Sequence, residues 1–388
     1  MQQSTLTLSM ATCAVLTALS AHAQDSTVTV YGVISASLES VGASGGSGGN
    51  KSTTTRVTDN NSRIGFRGNE DLGNGVKAIW QVESSLRNFE QGGSTDWGQS
   101  ATLATRNSFV GMSSEQYGRL IAGYNDTVYK SLVGSTADFG IDVMAGTIAD
   151  SWGTGPGFYQ LFSRGETRLK NSIHYVSPLL SGWQGGVSYG VDETKTNNTN
   201  RSRMSLAVKY GDGPFKAGFG WDRQFDTAGY EQTNSGTAAA GKHVDFAKLL
   251  AQWTFSSTGT LLGAGVERGT YESASGGQTL NQTGWTVGVS QPLNERLALK
   301  ASYSKLGSLN NASHADDYKA TQWVLGASYA ATKRTSFYTY ATRLSNGALQ
   351  NANFGFSPLT TGTNASSTVV LANGNTLHSV GVGMSTAF

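Results

Sequence analysis

The chain has 388 residues, including 50 glycines, 5 prolines and one cysteine, with 14% charged and 10% aromatic residues and a net charge of +2. Few charges with many aromatics exclude a disordered chain, glycine without a three-residue period excludes collagen, and one cysteine excludes a disulfide or cysteine-rich metal scaffold. The small net charge gives no footprint for nucleic acid, and the lack of an apolar run near 20 residues excludes a helical membrane protein but not a membrane β-barrel.

Met1 to Ala23 carries no charged side chain and holds an apolar stretch, Leu6–Leu19, followed by Ala21-His22-Ala23. This reads as a secretory signal peptide with an A-x-A cleavage site, although no Lys or Arg precedes the apolar run. Cys13 lies within it, so the exported chain, 24–388, is expected to contain no cysteine.

From there the dominant period is two. Val28, Val30, Gly32, Ile34, Ala36 and Leu38 alternate with polar or small residues, and Val76, Ala78, Trp80 and Val82 do so again. Leu169, Ile173 and Tyr175, then Met204, Leu206, Val208 and Tyr210, then Trp323, Leu325, Ala327 and Tyr329 repeat the pattern. One apolar face at period two marks an antiparallel strand. Strand-like runs begin near Thr27, Ser62, Val76, Ala104, Arg119, Arg168, Trp183, Arg201, Phe215, Val244, Thr260, Asn281, Arg296, Lys319, Arg334 and Thr376, sixteen in all.

Spacers alternate between two kinds. Short ones carry tight-turn residues: Glu70–Gly75, Ser177–Gly182, Gly211–Gly213 and Pro292–Glu295. Long ones are rich in Gly, Ser, Thr and Asn: Val41–Asn60, Asn125–Gly165, Asp226–Lys242 and Gly347–Asn375. Alternation of short turns with long loops, and an even strand count, point to an all-β, 16-stranded antiparallel transmembrane barrel. Its apolar parity, with Trp80, Tyr175, Tyr210, Trp285, Tyr303, Trp323, Tyr329, Tyr338 and Tyr340, is expected to face lipid, the aromatics forming interfacial girdles. The opposite parity is expected to line water. In the fourth strand Arg106 shares parity with Val110 and Met112, which a bulge would explain.

The stretch Asn61–Glu83, NSRIGFRGNEDLGNGVKAIWQVE, resembles the strand–turn–strand signature of Gram-negative general-diffusion porins, in their beta-proteobacterial branch. Val28–Gly32, Arg168–Pro178, Ala330–Thr335 with Tyr338 and Tyr340, and the terminal Phe388 resemble other parts of that family. Two departures are Ser35-Ala36-Ser37, where an acidic residue is usual, and a final strand without the usual basic residue.

The resemblance implies a homotrimer in the outer membrane, surrounded by lipid and lipopolysaccharide and inserted by the barrel assembly machinery, with Phe388 as its assembly signal. It implies a pore for small hydrophilic solutes, no cofactor and no enzymatic activity. It also implies that the third long loop, Asn125–Gly165, folds inward and narrows the pore. That loop carries Asp126, Asp138, Asp142 and Asp150 against one cation, Lys130. Arg63, Arg106 and Arg168 are the expected facing wall, with Glu83 among them. Such a transverse field favours small polar or charged solutes, and an excess of inward cations favours anions weakly. Other inward arginines, Arg67, Arg87 and Arg203, read as solvated lumen residues. A substrate-specific channel for sugars or carboxylates is the nearest rival; a barrel adhesin or receptor is a further one. The histidines are dispersed without metal-ligand spacing, and Gly42–Gly46 matches G-x-S-x-G only in a loop.

Overall fold

The computed structural model describes residues 27–47, 50–86, 103–152, 161–230, 236–359 and 371–388. The expected leader, Met1–Ala23, and Arg87 lie outside these residues. Seventeen strands form one closed antiparallel sheet. In chain order they are β1 (Thr27–Ser44), β2 (Lys51–Asp59), β3 (Arg63–Gly73), β4 (Val76–Ser85), β5 (Ser108–Ser114) and β6 (Gly118–Asp126). After the one-turn helix α1 (Val128–Ser131) come β7 (Arg168–Val176), β8 (Trp183–Gly190), β9 (Arg203–Asp212), β10 (Phe215–Ala228), β11 (Thr237–Thr254) and β12 (Leu261–Tyr271). The last are β13 (Leu280–Pro292), β14 (Leu297–Asn310), β15 (Ala320–Ala330), β16 (Thr335–Asn346) and β17 (Thr376–Ala387).

β2 and β3 pair end to end with the same neighbour, β1. They are two halves of one strand, interrupted where Asn61 takes a left-handed φ of 61°. The barrel therefore has sixteen strands. It closes where β1 pairs with β17, from Val33↔Ala387 to Ser44↔Thr376. Closure leaves no sheet edge, so every strand finds its backbone partners without water. Phe388 completes the seam by exchanging backbone hydrogen bonds of 3.1 Å with Gly32. Its ring lies over Gly32, where a β-carbon would meet it at 2.5 Å, and faces outward.

Two of the long spacers are shorter than the sequence suggests. β1 runs on to Ser44 and β2 fills Lys51–Asp59, within the stretch read as the loop Val41–Asn60. β10 and β11 likewise invade Asp226–Lys242. Here the strands carry mostly small, hydroxyl and charged residues, so hydropathy alternation is weak while backbone pairing continues.

The outer face is apolar: Val28, Leu38, Val110, Ile173, Leu325 and Val382 are all exposed. Near the short turns, Trp183, Tyr210, Phe215 and Trp253 form a chain with ring centroids 4.9, 6.3 and 6.2 Å apart. That is one girdle, where amphipathic rings meet the headgroup layer.

Tyr338 and Tyr340 do not follow this rule. Both point inward, lying over Gly383 and Gly381, where a β-carbon would fall 2.4 and 2.6 Å from the rings. Tyr340 donates to Glu39 at 2.7 Å, and Tyr338 accepts from Asn60 at 2.7 Å. Parity assigns a side chain to a face only where it is known which face is apolar, and here the hydroxyls found buried polar partners inside.

Among the described residues, two loops fold into the barrel. The third long loop lays Val128, Leu132, Val133, Phe139, Ile141, Trp152 and Phe162 on the inner wall. Glycines line that wall where the loop approaches closest. A β-carbon at Gly186, Gly218, Gly220, Gly263, Gly265 or Gly326 would fall 2.4–2.8 Å from a side chain of this loop. At Gly288 it would fall 2.1 Å from the Ile141 carbonyl oxygen. The last long loop adds Ala352, Phe354, Leu359 and Leu371, which pack on Val143, Met144, Ile148 and Leu161 of the third.

Ionic latches hold the third loop at both ends of its inward excursion. Lys248 of β11 is buried; it pairs with Glu166 at 2.9 Å, donates to Ser163 at 2.8 Å and sits 4.1 Å from the Tyr129 ring centre. Glu166 also accepts the Ser135 N–H at 2.9 Å. Glu267 of β12 accepts from the Tyr129 hydroxyl at 2.5 Å and from the Arg164 N–H at 2.7 Å. Arg203, read from the sequence as a solvated lumen residue, is buried; it pairs with Asp222 at 2.8 Å and donates to the Gly165 carbonyl at 2.5 Å.

Candidate functional site

The charged side chains gather on the inward side of β3 to β6 and at the start of β7, across from part of the third loop. Arg63 opens β3 just after the break at Asn61. The break is a side-chain-capped turn: the Ser62 N–H donates to Asp59 Oδ1 at 3.0 Å, and the Ser35 N–H to Ser62 Oγ at 2.9 Å. Asx chemistry of this kind stabilises a local turn against the strand ladder. Arg63 then donates to the Asn61 carbonyl at 3.1 Å.

Arg106 reaches the same face through an irregularity. The β4–β5 register pairs Gln81 with Phe109 and would place residue 107 opposite Glu83. Instead the Arg106 N–H bonds the Glu83 carbonyl at 3.0 Å. One extra residue is accommodated, as in a β-bulge. Arg106 turns inward although Val110 and Met112, of like parity, face lipid.

Glu83 lies between the two arginines. It accepts from Arg106 Nε at 2.5 Å and from the Tyr31 hydroxyl at 3.0 Å, with Arg63 Nε at 3.9 Å. Gly65 makes room for the Tyr31 ring. Arg168 is held separately, by Asp126 at 3.1 Å and Asn107 at 2.6 Å. Asp126 also takes Lys130 at 3.3 Å. Asp126 thus belongs to the basic wall rather than to the loop that faces it.

These groups surround one cavity of about 690 Å³. Its rim brings together Arg63, Arg106, Arg119, Lys130, Arg168 and Lys300 with Asp59, Glu83, Asp126, Asp142 and Asp150, six cations against five acids. Asp142 and Asp150 are what the third loop contributes on the acidic side. Asp150 is occupied by the Gly146 and Trp152 N–H groups at 2.8 and 2.7 Å. Burial, and then the neighbouring Asp150, hold the Asp142 carboxyl well above the usual carboxylate range.

Of the expected site residues, Arg63, Glu83, Arg106, Arg168 and Asp142 lie on this cavity, and Asp138 does not. Asp138 pairs with Lys216 of β10 at 2.5 Å, towards the short-turn end of the barrel. Its neighbour Phe139 is buried against Gly218, which turns the Asp138 side chain the other way. Lys300, Arg119, Asn107 and Phe356 line the same cavity without having been singled out in the sequence. Inward parity on β6 and β14 was the available signal for Arg119 and Lys300.

A description of Gram-negative porins matches residues 10–349. The major outer membrane protein P.IB of Neisseria meningitidis serogroup B is 32% identical over 200 residues, covering 50% of this chain and 52% of that protein. The chain thus spans about half the length of that curated relative. An outer membrane porin of Bordetella pertussis is 24% identical over 74% of this chain and 78% of its own. Among solved structures, an anion-selective porin from Comamonas acidovorans superposes with a TM-score of 0.70 at 22% identity, covering 94% of this chain and all of that one. A trimer form of OmpT from Vibrio cholerae gives a TM-score of 0.64 at 16% identity and 94% coverage of this chain. With a barrel closed on itself, an inward third loop and a family match over most of its length, the chain belongs to the Gram-negative porin family, proteins of the cell outer membrane.

Proposed function

We propose that the protein forms a water-filled channel for passive diffusion of small hydrophilic solutes and ions, with a weak preference for anions. The observation that carries this is the charge around the cavity, where six cations meet five acids. A small positive excess concentrates anions without trapping them, and permeation requires both. Arg63, Arg106 and Arg168 each have a carboxylate beside them, so the preference is modest. The Comamonas acidovorans neighbour, an anion-selective porin, agrees in sign.

We assign the constriction to Arg63, Glu83, Arg106, Arg168 and Asp142, and we read the assembly as a homotrimer, as in the OmpT neighbour. Planar-bilayer recording of the purified protein tests this. Conductance proportional to bulk salt, with closures in steps of three, is expected. A conductance that saturates at low salt would argue for a binding channel instead.

An enzymatic role is disfavoured by placement. His174 does contact two serine hydroxyls, Ser172 and Ser188, at 2.7 Å each. All three are buried beneath the third loop, where no substrate reaches them. Phe388 is proposed as the assembly signal, because it completes the barrel seam at Gly32. Its deletion is expected to lower insertion and leave export intact; wild-type yield of the truncated chain would refute the role.

A further inference from the structure

The second inward loop carries a strained aromatic residue. Phe356 has a φ of +53°, a region that bulky side chains rarely adopt. Backbone strain of this kind persists only where the surroundings over-determine it, and it clusters at functional positions. The surroundings are on view. Arg56 of β2 donates to the Ser357 carbonyl at 2.7 Å and to the Pro358 carbonyl at 3.3 Å. Arg56 is itself fixed by Glu39 at 2.5 Å, whose carboxylate also accepts from Thr58 and Tyr340. Ser357 Oγ donates to the Asp59 carbonyl at 3.1 Å. Asn353 Oδ1 closes the turn by accepting the N–H groups of Phe354 and Leu359 at 2.8 and 2.9 Å.

Phe354 and Leu359 are buried in the core between the loops, while Phe356, between them, is only partly covered and lines the cavity shared with Arg63 and Arg106. β2 precedes β3 on the way down from the long-loop side. Ser357 and Pro358 are bound to Arg56 and Asp59 of β2, so the turn that carries Phe356 is anchored on the long-loop side of Arg63.

We propose that Phe356 is a specificity-determining residue, and that the channel favours organic monoanions with a flat apolar body, such as aryl carboxylates, over hydrophilic anions of equal charge and similar size. This rests on the reading of the protein as an anion-preferring channel. The carboxylate addresses Arg63 and Arg106 while the apolar ring packs on Phe356. Ring-on-ring contact adds little energy beyond area burial, so the solute is selected and still released.

The test compares benzoate with glucuronate, of the same charge but hydroxylated, at pH 7, with the purified full chain in planar bilayers. Each is added on the long-loop side, and its block of the chloride current is measured. For the wild type, half-block by benzoate is expected at a concentration about three- to tenfold below that for glucuronate. Phe356→Asn removes the ring and suits a left-handed backbone, so it is expected to bring that ratio to about one. Phe356→Leu is expected to fall between. Equal block by both anions in the wild type, or an unchanged ratio in Phe356→Asn, would overturn the assignment. A wild type that carries chloride with a ratio of one refutes Phe356 alone. A protein that carries no current at all refutes the channel reading, and the proposal with it.

Discussion

On β3 to β7 the inward positions carry Arg63, Glu83, Arg106 and Arg168, whereas on β8 to β15 the same parity carries Gly186, Gly218, Gly220, Gly263, Gly265 and Gly326. The first wall is wet and bears charge. The second is covered by the third loop, with glycines where that loop lies closest and Lys248, Leu250, Gln252 and Glu267 contacting it between them. Glycine weakens a strand interior, and here burial of Val128, Val133, Phe139, Ile141 and Phe162 offsets the loss. The contrast shows that an inward position in this barrel has two possible environments, and that the loop decides between them. On the proposed reading the charged wall is the selective surface, and the other wall is the one that the loop covers.

The largest break in this arrangement is expected from Lys248→Met. Lys248 and Glu166 are both fully buried. Removing one partner leaves a buried charge unpaired, at a cost of about 3–5 kcal/mol. The checks are thermal unfolding in detergent and open-channel noise, which is expected to rise as the third loop comes loose. Unaltered noise with an unaltered melting temperature would mean that the latch does not hold the loop.

Next is Gly288→Val, which pushes a side chain against the Ile141 carbonyl. Overpacking of this kind costs about 1–3 kcal/mol. Displacement of the loop is expected to raise single-channel conductance. The same substitution at Gly241, in an exposed bulge of β11 with a φ of +69° and open space around it, strains the backbone without touching the loop and is the control for conductance alone.

The charged wall divides its own residues. Arg168 is buried on Asp126 and Asn107, so Arg168→Gln is expected to destabilise as well as to shift selectivity. Arg63 is partly exposed, with Glu83 at 3.9 Å. Arg63→Gln is expected to move the reversal potential towards cations with a stability change within about 0.5 kcal/mol. If both variants behave alike in denaturation, the two arginines are not held as differently as their geometry indicates.

The smallest effect concerns pH. The Asp142 carboxyl keeps its proton above the usual carboxylate range. As pH rises through that raised value, the loop gains one negative charge, and anion preference is expected to fall. Asp142→Asn should remove this step. A wild-type reversal potential that stays flat as pH is raised well above the usual carboxylate range would contradict the raised value of Asp142.

Much of this was legible in the sequence. Period-two alternation gave sixteen strands, and the signature at Asn61–Glu83 pointed to the family. The bulge at Arg106 was visible as a parity conflict between that residue and Val110. The glycine wall was not read, because glycine counts as neither polar nor apolar in an alternation test. Its signal was present in Gly218-x-Gly220 and Gly263-x-Gly265, spaced at two on the inward parity. Tyr338 and Tyr340 were misplaced because a tyrosine suits a lipid interface and a buried polar network equally well. Asp138 was misplaced because nothing in an irregular loop indicates which side chain turns inward; that depended on Phe139 finding Gly218.

The central claim is that the charged wall sets a weak anion preference, and the reversal potential of the wild-type channel across a tenfold potassium chloride gradient tests it most directly. A modest reversal of anionic sign is expected, shrinking when both sides are raised towards 1 M salt, where screening falls to about 3 Å. A strongly cationic reversal would contradict the account, since it would mean that carboxylates rather than Arg63, Arg106 and Arg168 dominate the constriction.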